Sequence, residues 1–261
     1  MTESSQQHTG QGSPISENAR LAYLKAMGIQ AWSLKTATAV ADNDNAQPIH
    51  SSTSPAVSTS QVVAAHVDAN KDKSNKDVAS LDWQSLQQLV SQCQLCELHA
   101  TRTQTVLGTG NQHADLLIIG EAPGAEEDSL GEPFVGQAGK LLDAMLHAIQ
   151  LDRQQVYITN VLKCRPPQNR DPHTSEIICC DSYLQRQIAL IQPKVILAVG
   201  RVAAHHLLLT QTALGSLRGR KYSYNGIPLL VTYHPAYLLR MPAEKGKAWQ
   251  DLLQVKKILS I

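Results

Sequence analysis

The sequence predicts an α/β fold, a three-layer α/β/α sandwich around a central, mostly parallel four-stranded sheet. Three observations predict it. Four short runs, at 115–120, 155–161, 194–199 and 228–233, are almost continuously apolar, and strands that do not alternate are buried on both faces. Helical periodicity fills the intervals, so strand and helix alternate as they do in parallel sheets covered on both sides. Three strand ends also carry unusual residues: Gly-Glu-Ala-Pro-Gly, Thr-Asn-Val-Leu-Lys-Cys and Tyr-His-Pro-Ala-Tyr. Ligands of open α/β sheets bind at the carboxyl ends of strands, so these segments are expected to converge.

Taken in order, residues 16–32 predict a short amphipathic helix capped by Ser16, with Leu21, Leu24, Ala26 and Met27 sharing much of one face before Gly28 ends it. The apolar set continues through Ile29, Trp32 and Leu34. Exposed Trp and Ile gain nothing in water, so a covering surface is expected, either a partner's or the protein's own domain, and residues 1–36 read as an amphipathic peptide and candidate partner-binding motif. Residues 37–80 are rich in Ser, Thr, Asn, Asp, Gln and Ala without sustained periodicity, which reads as a disordered linker unable to bury a core. Residues 81–261 hold all five cysteines and most of the aliphatic runs, enough for a single catalytic domain.

Within that unit a helix at 81–90 leads into Cys93 and Cys96, and the first strand follows at 115–120. A glycine-rich loop enters a helix at 138–150, and the second strand, at 155–161, is followed by a proline-rich excursion and a long helix at 174–191. The third strand ends in Gly200 before a helix at 201–210. The fourth strand and a closing helix at 246–259 complete the chain.

The 261 residues carry a formal net charge of only +1, so no overall basic field announces a nucleic acid and such binding must use local patches. Three exist: Lys163, Arg165 and Arg170; Arg218, Arg220 and Lys221; and Arg240, Lys245 and Lys247. Solvated surface is the plain alternative for each. No apolar stretch is long enough to span a bilayer, and the N-terminus, Met-Thr-Glu-Ser-Ser-Gln-Gln, lacks the regions of a signal peptide, so no membrane partner and a cytoplasmic location are expected.

Cys93 and Cys96 have the spacing at which two thiolates reach one metal centre, and Cys164, Cys179 and Cys180 lie far off in sequence. An odd cysteine count and a reducing compartment disfavour a disulfide set. With one short pair rather than two, spacing leaves zinc and an iron–sulfur cluster both open.

The loop after the first strand has glycines for tight bends, but Glu121 and the acids at 126–128 would repel phosphate, and no P-loop or dinucleotide fingerprint is present. A neutral or weakly acidic ligand fits better. Phe134, the only phenylalanine, is either core or a rigid face on which a planar base stacks. Asn160 offers a donor and an acceptor to a base edge, or caps the following loop. His234, at another strand end, stabilises negative charge on a carbonyl oxygen or is a satisfied structural histidine.

Together these motifs, extended by Pro-Phe-Val-Gly-Gln-Ala-Gly, Lys-Cys-Arg-Pro-Pro-Gln-Asn-Arg-Asp-Pro and Tyr-His-Pro-Ala-Tyr-Leu-Leu-Arg, resemble family 4 uracil-DNA glycosylases, the bacterial and archaeal iron–sulfur type, across residues 81–261. The resemblance implies a uracil-DNA glycosylase-like fold and hydrolysis of the bond between uracil and deoxyribose in single- or double-stranded DNA, leaving an abasic site for base excision repair. It also implies a nucleoid-associated enzyme with a [4Fe-4S] cluster on Cys93, Cys96, Cys164 and Cys180, Cys179 being spare. It implies stacking of the flipped base on Phe134, reading of its edge by Asn160, and charge stabilisation at uracil O2 by His234 and a backbone N–H near Ala122. Glu121, assisted by Asn169, would orient the water and stabilise the sugar cation, and Glu127 would block a thymine methyl. Arg165, Arg170, Arg218, Arg220 and Arg240 would meet phosphates.

The string 23–35, Tyr-Leu-Lys-Ala-Met-Gly-Ile-Gln-Ala-Trp-Ser-Leu-Lys, resembles the peptide by which the psi subunit of bacterial DNA polymerase III holds the clamp loader, which implies that residues 16–35 tether the enzyme to that assembly. Two alternatives remain. One is a relative with altered base choice or covalent trapping of its product, although the loop Arg-Asp-Pro-His-Thr-Ser-Glu after Asn169 lacks the inserted basic stretch of trapping relatives. The other is a non-catalytic replication accessory, against which Glu121, Asn160 and His234 argue.

Overall fold

The computed structural model describes residues 78–261. The expected helix at 16–32, the peptide at 23–35 and nearly all of the linker lie outside the described residues. At their start, Val78 is buried against Leu86, Val90 and Tyr183, and so belongs to the folded core.

The elements run α1 (Trp83–Ser91), β1 (Thr109–Gly110), β2 (Leu116–Gly120), α2 (Ala125–Leu130), α3 (Gln137–Ala148), β3 (Tyr157–Asn160), α4 (Thr174–Ile191), β4 (Val195–Val199), α5 (Arg201–Leu208), α6 (Leu214–Leu217), β5 (Tyr222–Tyr224), β6 (Ile227–Thr232), α7 (Pro235–Arg240) and α8 (Lys245–Leu259). Short 3₁₀ turns occur at Glu97–Ala100, Pro167–Asn169 and Pro242–Glu244. The sheet has six strands in the order β1-β3-β2-β4-β6-β5 rather than the four expected. The four expected strands form its parallel centre, and β1 and β5 pair antiparallel at the two edges. Both additions are two or three residues long and not buried, too short to leave a periodic signal.

Successive residues of the central strands point to opposite faces, and both faces are covered. Leu116, Ile118, Ile158, Leu197 and Leu230 pack against α3, α7 and α8, whereas Leu117, Ile119, Ile196, Ala198 and Val231 pack against α4, α5 and α6. This is the expected three-layer sandwich. From β2 the chain moves to β3 on one side, then returns to β4 and β6 on the other. The connections therefore diverge at the carboxyl ends of β2 and β4, where an open α/β sheet leaves a crevice.

Among the described residues, no helix is long and apolar enough to cross a membrane.

Candidate active site

A cavity of about 800 Å³ opens at that crevice, and all four central strands contribute to its lining. Glu121 and Ala122 follow β2, Asn160 ends β3, Gly200 and Arg201 follow β4, and Tyr233 and His234 follow β6. Of the residues expected in the site, Glu121, Ala122, Glu127, Phe134, Asn160, Asn169, Arg170, His234 and Arg240 all line it.

Phe134 and Asn160 meet over Gly120. A Cβ at Gly120 would lie 2.4 Å from Asn160 Oδ1 and 2.6 Å from Phe134 Cζ, so only glycine lets both side chains in. Asn160 is 2 % exposed, and its Oδ1 is buried without a hydrogen-bond partner. Buried acceptors are nearly always satisfied, so an orphan at a cavity wall marks a place where a ligand donates. Phe134 has a φ of 54°, a conformation that costs a non-glycine residue free energy and persists only when its surroundings impose it. They do: Arg153 donates to the carbonyl oxygens of Pro133 and Phe134, and Gly139 packs so tightly on the Phe134 carbonyl that no Cβ would fit.

The acids after Gly120 have other tasks than their crowding suggests. Residues 126–128 form the first turn of α2, where the helix dipole favours negative charge. Glu127 accepts from Gly124 N at 3.0 Å, Val135 N at 3.0 Å and Gly136 N at 3.2 Å, stapling the two ends of the loop together. Asp128 is buried and accepts from Thr103 N. Glu121 lines the cavity along with Glu127 and Asp171; burial raises its pKa first, Asp171 adds to the rise, and Arg201 opposes it.

His234 caps α7: its Nδ1 accepts from Ala236 N at 3.2 Å. That bond requires an unprotonated Nδ1, so the neutral ring carries its proton on Nε2. Burial, with Arg240 adding to it, lowers the imidazole pKa to about 4. The site therefore holds a neutral imidazole near pH 7.

The basic residues divide. Arg220 and Arg240 are exposed, as expected of phosphate contacts. Arg165 donates from Nε to Asn169 Oδ1 at 2.8 Å, which occupies one acceptor of the amide expected to assist the water. Arg170 is bound to the buried Glu176 through two hydrogen bonds of 2.9 and 2.6 Å, which holds the loop to α4. Two readings are corrected. Arg218, expected to meet phosphate, is 8 % exposed in its side chain, paired with Asp251 at 2.7 Å and stacked over Tyr233 at 4.4 Å. Lys163, counted in a surface patch, is fully buried and donates to Thr159 Oγ1, Asn160 O and Gln187 Oε1 at 2.6–2.7 Å; the preceding apolar strand carries it inward, and burial lowers its pKa to about 7. Arg201, Tyr233 and Tyr237 also line the cavity. Sequence reasoning passed over them, although Arg201 follows a strand-ending glycine and Tyr233 and Tyr237 flank His234.

All five cysteines are free thiols. Cys96, Cys164 and Cys180 gather with Leu98 and Leu162 in one buried cluster, and Cys93 is near enough to interact with Cys96 and Cys164. Arg102 donates to Cys164 Sγ at 3.0 Å and to Cys93 O at 2.7 Å, so a cation supports the cluster of sulfurs. Cys179 donates its thiol to Leu95 O at 3.3 Å and is also near enough to interact with Cys96. Among the described residues, no three His, Cys, Asp or Glu side chains gather closely enough to hold a metal ion.

The model of the uracil DNA glycosylase superfamily matches residues 107–253. A type-4 uracil-DNA glycosylase of Archaeoglobus fulgidus is 42 % identical over 177 residues, covering 65 % of this chain and 89 % of that protein. One from Saccharolobus solfataricus is 44 % identical over 180 residues, covering 66 % and 83 %. A type-5 uracil-DNA glycosylase of Thermus thermophilus is more distant, at 29 % over 209 residues, covering 66 % and 94 %.

Proposed function

The chain belongs to the uracil DNA glycosylase superfamily, with type-4 enzymes among its relatives, and we propose that it works through the cavity just described. It is a DNA repair hydrolase that removes uracil. A uracil inside a stack is out of reach, so the nucleotide is flipped into the cavity. The orphaned Asn160 Oδ1 carries this reading. The N3–H of uracil is the donor it lacks, and the amide's NH₂ answers O4. Cytosine, with an acceptor at N3 and a donor at N4, would leave both mismatched. Phe134 supplies the flat face that orients the ring.

As the glycosidic bond breaks, negative charge gathers on uracil O2 while the sugar becomes cationic. A neutral His234 donates from Nε2 to O2, beside the backbone at Ala122. Glu121, in its carboxylate form, stabilises the cationic sugar and aligns the water that attacks C1′. Asn169, with its Oδ1 on Arg165, has its NH₂ left to assist that water. Glu127 acts chiefly by holding the loop, and its bulk beside the base disfavours a methyl at C5. Arg220 and Arg240, with Arg165 at the loop, meet the DNA phosphates.

Cys93, Cys96, Cys164 and Cys180 fit a [4Fe-4S] cluster better than a single zinc ion, because iron and sulfide of a cluster hold their thiolates apart whereas zinc draws four ligands close. When bound, the cluster ties the segment around Cys93 and Cys96 to α4 and the loop at Cys164; hydrolysis asks no electron of it. A colourless preparation carrying zinc after anaerobic purification would contradict this assignment.

Residues 16–35 act as a tether to a clamp loader, supported by the sequence likeness at 23–35; equal retention of clamp loader with and without residues 1–36 would overturn it. For the cavity, product inhibition is the direct test. Uracil should inhibit excision and 3-methyluracil, which lacks the N3 proton, should not; equal inhibition by both would remove Asn160 from the proposed role.

A further inference from the structure

The cavity is larger than its proposed task requires. About 800 Å³ suits a drug-sized ligand and well exceeds one pyrimidine ring. Phe134, Asn160 and His234 line it together. Tyr233 and Tyr237 add a second, aromatic part of the lining, their ring centroids 4.9 Å apart and their planes 39° from parallel.

This second part of the lining is built from the core outward. Asp251, 2 % exposed, accepts from Thr232 Oγ1 at 2.8 Å and from Arg218 Nε at 2.8 Å. The Arg218 guanidinium, further fixed on the Lys247 carbonyl, lies 4.4 Å from the Tyr233 ring centroid, and Tyr237 leans on Tyr233. A buried carboxylate thus fixes a cation, the cation fixes one ring, and that ring positions the next. Tyr237 itself is half-buried and its hydroxyl makes no hydrogen bond among the described residues. Arg240, three residues on in α7, is exposed on the same rim without an acidic partner among the described residues.

We propose that this part of the lining is a second base-binding subsite: Tyr237 is a stacking platform for the nucleobase adjacent to the flipped uridine, and Arg240 pairs with the phosphate between the two nucleotides. Aromatic stacking accepts any base because every base has a π face, so the subsite would strengthen DNA binding without reading sequence. The inference rests on the proposed excision of uracil from this cavity.

Single-stranded oligonucleotides with one deoxyuridine test it, the neighbouring nucleotide on the 5′ or the 3′ side being either a normal thymidine or a tetrahydrofuran residue lacking the base. The full chain with its metal content as purified should show a KM about tenfold higher when the base is removed on one side, with kcat nearly unchanged. Tyr237→Phe should behave the same. Tyr237→Ala should bind both oligonucleotides equally weakly while its inhibition by free uracil stays as in the parent. An indifferent parent enzyme, or a Tyr237→Ala variant whose KM still rises about tenfold, would overturn the subsite. Weakened uracil inhibition in that variant would also overturn it, by assigning Tyr237 to the first base. Failure to excise uracil from every oligonucleotide would instead defeat the excision reading.

Discussion

The ring of His234 lies against that of Phe134, centroids 5.4 Å apart and planes 28° from parallel. One residue follows β6 and the other precedes α3, so the electrophile and the stacking face proposed for the base are fixed against each other across the sheet's carboxyl edge. Packing on Phe134 also keeps water from the imidazole, in keeping with its lowered pKa.

In the proposed role His234 would act as a neutral donor throughout the working pH range. Replacing it with Ala should lower kcat on the order of 10²–10³-fold, as for other donors to a developing oxyanion. No histidine titration should appear in the parent's rate profile between pH 5 and 8, because the folded pKa is about 4. The sign for stability follows: with an unfolded value near 6.5 and a folded value near 4, the unfolded chain binds the proton first as pH falls. Stability contributed by the neutral ring is complete above 6.5 and is lost toward 4. Urea titrations of parent and His234→Ala at several pH values would read this.

Glu121 has the opposite sign. Its folded pKa is raised above 4.5, chiefly by burial, so the folded protein binds this proton more tightly and the ionised form destabilises the fold at neutral pH. Glu121→Gln should lose excision activity yet melt at a higher temperature than the parent at pH 7.5, with the gain shrinking as pH falls through the raised pKa. Calorimetry on the two proteins decides it. The acid limb of the parent's kcat profile should fall at this raised value.

Gly120→Ala tests the shared placement of Phe134 and Asn160. A methyl group there would sit 2.4 Å from the amide oxygen and 2.6 Å from the ring, displacing both. Activity should fall at least as far as in Asn160→Ala, and 3-methyluracil and uracil should no longer be distinguished as inhibitors.

The alternation of apolar runs and helices made the parallel core and both outer layers readable, because burial on two faces demands it. β1 and β5 escaped because a two- or three-residue edge strand holds by its neighbour's hydrogen bonds, not by its own pattern. That Asn160, Phe134, His234 and Glu127 would meet at one cavity was readable from their places at strand ends and in the glycine-rich loop. The burial of Lys163 and Arg218 and the hold of Glu127 on the loop were not, since a charged residue looks the same in sequence whether water or a buried network receives it. Only tertiary packing brings Gln187 to Lys163 and Asp251 to Arg218.

That distinction has a consequence for DNA binding. Arg220→Ala, removing an exposed cation, should reduce the slope of log K against log salt by about one without altering the melting temperature. Arg218→Ala leaves Asp251 buried without its cation, a loss of about 3–5 kcal/mol of stability for a broken buried pair. Binding titrations across salt concentrations, beside denaturant melts, separate the two.

The central claim is that Asn160 reads uracil in this cavity for excision. Oligonucleotides carrying uracil, cytosine or thymine at one position, single- and double-stranded, would be incubated with the purified chain and then treated with alkali to cleave abasic sites. The account predicts cleavage at uracil alone, abolished by Asn160→Ala in a protein that still melts cooperatively. Cleavage by Asn160→Ala at the parent's rate, or none by the parent with its cysteine site loaded with iron and sulfide, would contradict it.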